Sequence, residues 1–177
     1  QNCQGQVDVV QNPGHFGAAW FVKAIKPVAN DAEELLAIGH TNLKHTAVAQ
    51  QSYMQGIGNI VADSSASITL KKYSNDEIEY TTSAVNAQFA VLSEVYYPAS
   101  WNAYIYGQKT EIVKTDYVLR GLKVPAGKHE VKLVFEPQSV KRGINISYLS
   151  SWLLIVVVLG GFFMEWQTNK NNKKAVD

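Results

Sequence analysis

The sequence predicts a mainly β protein: an antiparallel, jelly-roll-like β-sandwich with one short helix, followed by a C-terminal transmembrane helix. Three observations carry this prediction. Apolar residues alternate with period two over much of the chain, as half-buried strands require. Turn chemistry separates the alternating runs. The stretch INISYLSSWLLIVVVLGGFFM, Ile144 to Met164, holds 21 residues without a charge, which as a helix would span about 31 Å, the thickness of a bilayer core. The implied organisation is a β-domain over 1–142, a membrane span over 144–165 and a basic tail over 166–177.

Taken in order, QNCQGQVDVV has neither a basic start nor an apolar run, so it does not read as a signal peptide. A domain exported ahead of a final span needs an earlier export element, and the expectation is that more protein precedes Gln1. Cys3 is the only cysteine, which excludes an internal disulfide and reads as a free thiol. NPGHFGAAWFVKAIKPV suggests a glycine-punctuated turn and a strand centred on Trp20 to Ile25. NDAEELLAIGH predicts a helix at about 31–38 with Asp31 as N-cap, Glu34 closing a capping box, Leu35, Leu36 and Ile38 as its apolar residues, and Gly39 as its stop.

Strands follow. Ile68 and Leu70 share one face, as do Ile78 and Tyr80, Phe89 and Val91, and Val131, Leu133 and Phe135. SND before Glu77, YGQK after Ile105 and VPAGK before His129 supply the turns, with Pro125 fixing φ and Gly127 free to take positive φ. In the span, Tyr148 and Trp166 lie nearer the ends, where amphipathic rings favour the headgroup zone. Lys170, Lys173 and Lys174 follow it, against Lys141 and Arg142 before it, a narrow bias toward a cytoplasmic C-terminus. Ser147, Ser151, Gly160 and Gly161 offer small surfaces for neighbouring membrane helices.

Sixteen Lys and Arg balance fifteen Asp and Glu for a net charge of +1. So neutral a chain does not attract phosphate backbones, which argues against nucleic acid as a partner. No residues converge for catalysis and no cofactor motif is present. Glu77 and Glu79 fit a solvated strand face better than a glycosidase pair, and Glu33 and Glu34 suit a helix N-terminus. His40, His45 and His129 lack the spacing of metal ligands. Gly56-Ile57-Gly58 lacks the third glycine of a phosphate loop. What remains is the aromatic run YYPASWNAYIYGQKT. On a strand, Trp101, Ala103 and Ile105 point one way, into a core with Trp101 against Tyr96 or Tyr97, while Asn102, Tyr104 and Tyr106 point the other. That second set is the candidate carbohydrate-binding face, with a second packed sheet as the alternative.

The run from Ser93 to Pro137, SEVYYPASWNAYIYGQKTEIVKTDYVLRGLKVPAGKHEVKLVFEP, resembles the C-terminal region of YfhO-like bacterial membrane proteins, whose pattern is close to SE-x-YYP-x-W-x-AYIDGK, then NY-x-LR, then VPAGKH. NPGHFGAAWFV resembles an upstream segment of Bacteroidetes-type members. The chain departs from the pattern where the Asp of YIDGK is Tyr106 and where ANY is Thr115-Asp116-Tyr117. The resemblance implies a polytopic protein of the cytoplasmic membrane, similar to glycosyltransferases that use lipid-phosphate-linked sugars. Its catalytic acids would lie in early loops outside this sequence, and its β-domain would lie on the extracytoplasmic side. This chain is then expected to be a noncatalytic domain and last span, in contact with the bilayer, with other membrane helices and with envelope glycan. A membrane-anchored carbohydrate-binding module and an interaction domain of a transporter-like protein are the alternatives.

Overall fold

The computed structural model describes residues 14–58 and 60–174. The readings of Cys3 and of the chain before residue 14 lie outside the described residues. The chain divides into two units, one ending at Glu136 and the other starting at Pro137.

The first unit is an antiparallel β-sandwich with a third layer. Its strands in chain order are β1 (Ala19–Val22), β2 (Ala24–Val28), β3 (Thr46–Gln50), β4 (Ser67–Tyr73), β5 (Glu77–Ala84), β6 (Gln88–Val95), β7 (Trp101–Ile105), β8 (Gln108–Thr110), β9 (Ile112–Thr115), β10 (Leu119–Val124) and β11 (Gly127–Phe135). One sheet runs β1-β6-β10-β9 and the other β4-β5-β11-β7-β8, with every pairing antiparallel. The period-two residues meet between them: Ile78 and Tyr80 from β5, Ala90 and Leu92 from β6, Leu122 and Val124 from β10, and Val131 and Leu133 from β11 form one buried cluster.

Phe89 and Val91 do not join that cluster. They point to the opposite face of the four-stranded sheet, which they share with Val22 and Val113 and where Ala47 and Ile57 cover them. Because both faces of β6 are covered, Gln88 to Leu92 are buried without alternation, the signature of a central strand. Gly121 on neighbouring β10 lets this happen, since a Cβ there would stand 2.2 Å from the Phe89 ring.

The covering layer holds a departure from all-antiparallel expectation. β2 and β3 pair in parallel, Ala24 with Thr46 through Val28 with Gln50, joined by helix α1 (Asp31–Ile38). Trp20 to Ile25 is therefore not one strand: it breaks at Lys23, whose N–H donates to the His45 carbonyl. Pro27 sits in β2, an edge strand, where a missing donor is tolerated.

The capping of α1 is shifted by one residue from the sequence expectation. Asn30 is the N-cap, accepting from the Glu33 N–H at 3.0 Å, and Glu33 Oε2 accepts from the Ala29 N–H at 3.0 Å. The cap is therefore Asn30 with Glu33 at N3, whose carboxylate reaches back to the residue before the cap. Glu34 is released from capping and is fully buried, while Leu35 and Leu36 are 57% and 70% exposed. Ala37, with Val28 and Val48, anchors the helix instead.

The second unit is a single helix, α2 (Gln138–Lys174). Within it Arg142–Gly161 is long and apolar enough to cross a membrane, with mean hydropathy 1.8 and no part of that window buried. Ser150 and Ser151 return their hydroxyls to the carbonyls of Ile146 and Ser147, four residues back, which satisfies both hydroxyls in an apolar surround.

Candidate functional site

The aromatic run folds as the alternation requires, with different partners. Ala103 and Ile105 are buried in the sandwich core. Trp101 packs against that core, but its ring neighbours are Phe135, 5.4 Å away, and the Arg120 guanidinium, over the ring at 4.4 Å from its centroid, in place of Tyr96 or Tyr97. Tyr96 faces Tyr53 instead.

On the other face the three candidate residues are not brought to one point. Asn102 Nδ2 and the Tyr104 hydroxyl both donate to Glu136 Oε2, at 2.8 and 2.7 Å. That hydrogen bond, with burial second, raises the Tyr104 phenol above its ordinary value. Tyr106 leans away, its hydroxyl on the Lys128 carbonyl at 3.2 Å and its ring edge-on to His129 at 4.6 Å. Tyr104 and Tyr106 do line one open groove of about 560 Å³ with Glu130, Lys132 and Glu136; Asn102 is not part of it.

Tyr106 also explains the departure at the turn. Tyr106 and Gly107 have φ of +54° and +73° and form the two-residue loop between Ile105 and Gln108. A hairpin of this kind favours Asn-Gly or Asp-Gly, because short polar side chains tolerate the left-handed region. The Asp of the resembling pattern therefore suits the turn itself. Here a tyrosine holds the same conformation with its ring braced on His129, which is buried and has Nε2 2.9 Å from the Ala126 carbonyl oxygen. Gly127 takes φ +114°, as VPAGK predicts.

Two sites were not singled out from the sequence. The first is built on Arg120. In β10, Arg120 alternates in register with the core residues Leu122 and Val124, so period two alone could have placed a guanidinium on the core side. Only 3% of the residue is exposed. Nε donates to the Val95 carbonyl at 2.9 Å, Nη1 has no partner, and burial lowers its pKa from the ordinary value. Arg120 forms part of the wall of a pocket of about 190 Å³ shared with Tyr96, Tyr97, Trp101, Lys109 and Glu111.

The second site is a junction of buried carboxylates. Asp116 Oδ1 accepts from the Val48 N–H at 2.7 Å, the Asp116 N–H returns to the Val48 carbonyl at 2.7 Å, and Thr115 Oγ1 joins that carbonyl at 2.9 Å. Glu34 Oε1 accepts from the Tyr117 N–H at 2.9 Å and Oε2 from Gln50 Nε2 at 3.3 Å. Lys114 Nζ reaches Asp31 at 2.7 Å and Glu34 at 4.0 Å. Asp116 and Tyr117 have φ of +48° and +69°, so the Asn of the resembling ANY pattern again stands where a left-handed residue is needed. Burial, with Glu34 adding, pushes Asp116 up to about 6 against the pull of the Val48 amide. The network clamps α1 and β3 onto the β9–β10 loop.

Glu77 and Glu79 lie opposite buried Ile78 and Tyr80, as the strand reading has it, and both pair with lysines. Among the described residues no three His, Cys, Asp or Glu side chains group as metal ligands.

A β-sandwich joined to a helix that can cross a bilayer defines the class, a membrane protein with a folded β-domain. The family model described as bacterial membrane protein YfhO matches residues 35–147, and the chain belongs to that family. The match runs from within α1 through β3 to β11 and into α2, with β1 and β2 before it. No curated protein and no solved structure matches the chain.

Proposed function

We propose that this chain is a noncatalytic, extracytoplasmic β-domain with the last membrane span of a polytopic protein of the bacterial cytoplasmic membrane, one that resembles glycosyltransferases using lipid-linked sugars. The observation that carries the reading is the family match running unbroken from the sandwich into a helix with an apolar, unburied window. The state of the carboxylates supports a noncatalytic role. Glu77, Glu79 and Glu130 are tied to lysines, Glu136 takes two side-chain donors, and Glu34 and Asp116 serve backbone amides. An acid or base for sugar transfer has to reach the substrate oxygen instead.

Cysteine labelling tests the orientation. With Cys3 replaced by serine, Asn75→Cys at the exposed tip between β4 and β5 should react with a membrane-impermeant thiol reagent on whole cells, and Asn172→Cys only after lysis. The reverse order would overturn the proposal. A carbohydrate-binding face is a second reading, favoured by the groove beside Tyr104 and Tyr106. It requires glycan-array binding that Tyr104→Ala abolishes.

A further inference from the structure

We propose that the pocket walled by Trp101, Tyr97 and Arg120 binds a small ligand through a carboxylate or phosphate group, with the Arg120 guanidinium as the anion receptor. The argument starts from what Arg120 lacks. Its Nε is engaged by Val95, its face is covered by Trp101, and Nη1 is buried without a partner. Among the described residues it takes part in no ion pair; Glu94, Tyr80 and Tyr73 act on it through charge alone. A buried guanidinium with an unused N–H is costly to a fold, and an oxyanion is the group that answers both its charge and its planar fork.

The pocket has the rest of such a site. Lys109, on the exposed edge strand β8, adds a second cation, and Glu111 is the single acid in the wall. Tyr96, Tyr97 and Trp101 offer an apolar wall to the carbon skeleton that bears the anion. About 190 Å³ is room for one headgroup or one small acid. The residues come from positions 96, 97, 101, 109, 111 and 120, which the fold alone assembles. A sugar acid, a sugar phosphate and inorganic phosphate share the required chemistry, and titration separates them.

The whole chain, ¹⁵N-labelled at arginine and held in an uncharged detergent at low salt, gives a simple readout because Arg120 and Arg142 are its only arginines. Titration with glucuronate, glucose 1-phosphate and inorganic phosphate should shift the Arg120 guanidinium signals saturably and leave Arg142 unmoved, with glucose inert. Tighter binding of either sugar anion than of phosphate assigns a sugar-borne group; equal binding assigns the bare anion. Lys109→Gln, on an exposed position, should weaken the affinity about tenfold without altering the fold. No saturable shift with any anion, equal shifts at both arginines, or an affinity indifferent to Lys109→Gln would overturn the proposal.

Discussion

Two sets of carboxylates in the same β-domain meet opposite fates. On the outer face of the five-stranded sheet, Glu77, Glu79 and Glu130 interleave with Lys71, Lys72 and Lys132, with contacts from 2.6 to 3.6 Å. Hydrogen bonds from Lys132 and then Lys72 hold Glu77 down at about 2. At the α1–β3 junction, Glu34 and Asp116 are buried and spend their oxygens largely on backbone amides. There burial dominates and Asp116 rises to about 6. Identical chemistry is a screened surface lattice in one place and a structural clamp in the other, because water supplies the alternative partner only on the surface.

The comparison is broken most directly at Glu34. Glu34→Ala removes the acceptor of the Tyr117 amide together with a fully buried side chain, and should cost about 3 kcal/mol in urea melts of the detergent-held chain. A cost no larger than that of a surface substitution would mean that the junction is not a clamp.

Asp116 gives the next largest effect and a signature in pH. Its native-state pKa is raised, so between about 4 and 6 the folded protein holds a proton that the unfolded chain releases. The contribution is complete below the unfolded value and is lost as pH rises through about 6, amounting to roughly 2 kcal/mol. Asp116→Asn keeps the acceptor for Val48 and places an amide donor where Oδ2 lies buried without a partner. It should flatten this fall and raise the melting midpoint at pH 7.5; a midpoint below that of the unsubstituted chain would contradict the assignment.

Glu77 responds in the other direction and least. Its lowered pKa contributes stability above its ordinary value of 4.5, lost as pH falls from there toward about 2. Lys132→Gln should produce only a small drop in midpoint at neutral pH, and 1 M salt should erase the difference. A drop that survives high salt would mean that the lattice is more than a screened surface.

Much of the sandwich was legible because its signals are local. Ile78 with Tyr80 and Val131 with Leu133 declare their faces by period two, and Gly107 and Gly127 mark turns that need positive φ. The bounds of α1 and its stop at Gly39 were legible too, but its N-cap and buried face were not, for an equally physical reason. Asp31 with Glu34 satisfies the capping rule on paper, yet Asn30 caps the helix and Glu34 serves an amide 83 residues away. Leu35 and Leu36 look like core residues in a helical count, yet the helix turns Ala37 inward to meet Val28 and Val48.

By itself the sequence determined the β class, the main turns, the uncharged helix that can cross a bilayer, and the likeness to a membrane-protein family that the family match then established. These follow from residue type and spacing within a few positions, and no distant contact can reverse them. Only the tertiary structure decided that β2 and β3 run parallel, that Glu34 and Asp116 are buried together, and that Arg120 stands beside Trp101 at the wall of a pocket. Each depends on segments far apart in the chain competing for the same buried surface, and the winner is set by packing and hydrogen-bond satisfaction across the whole domain.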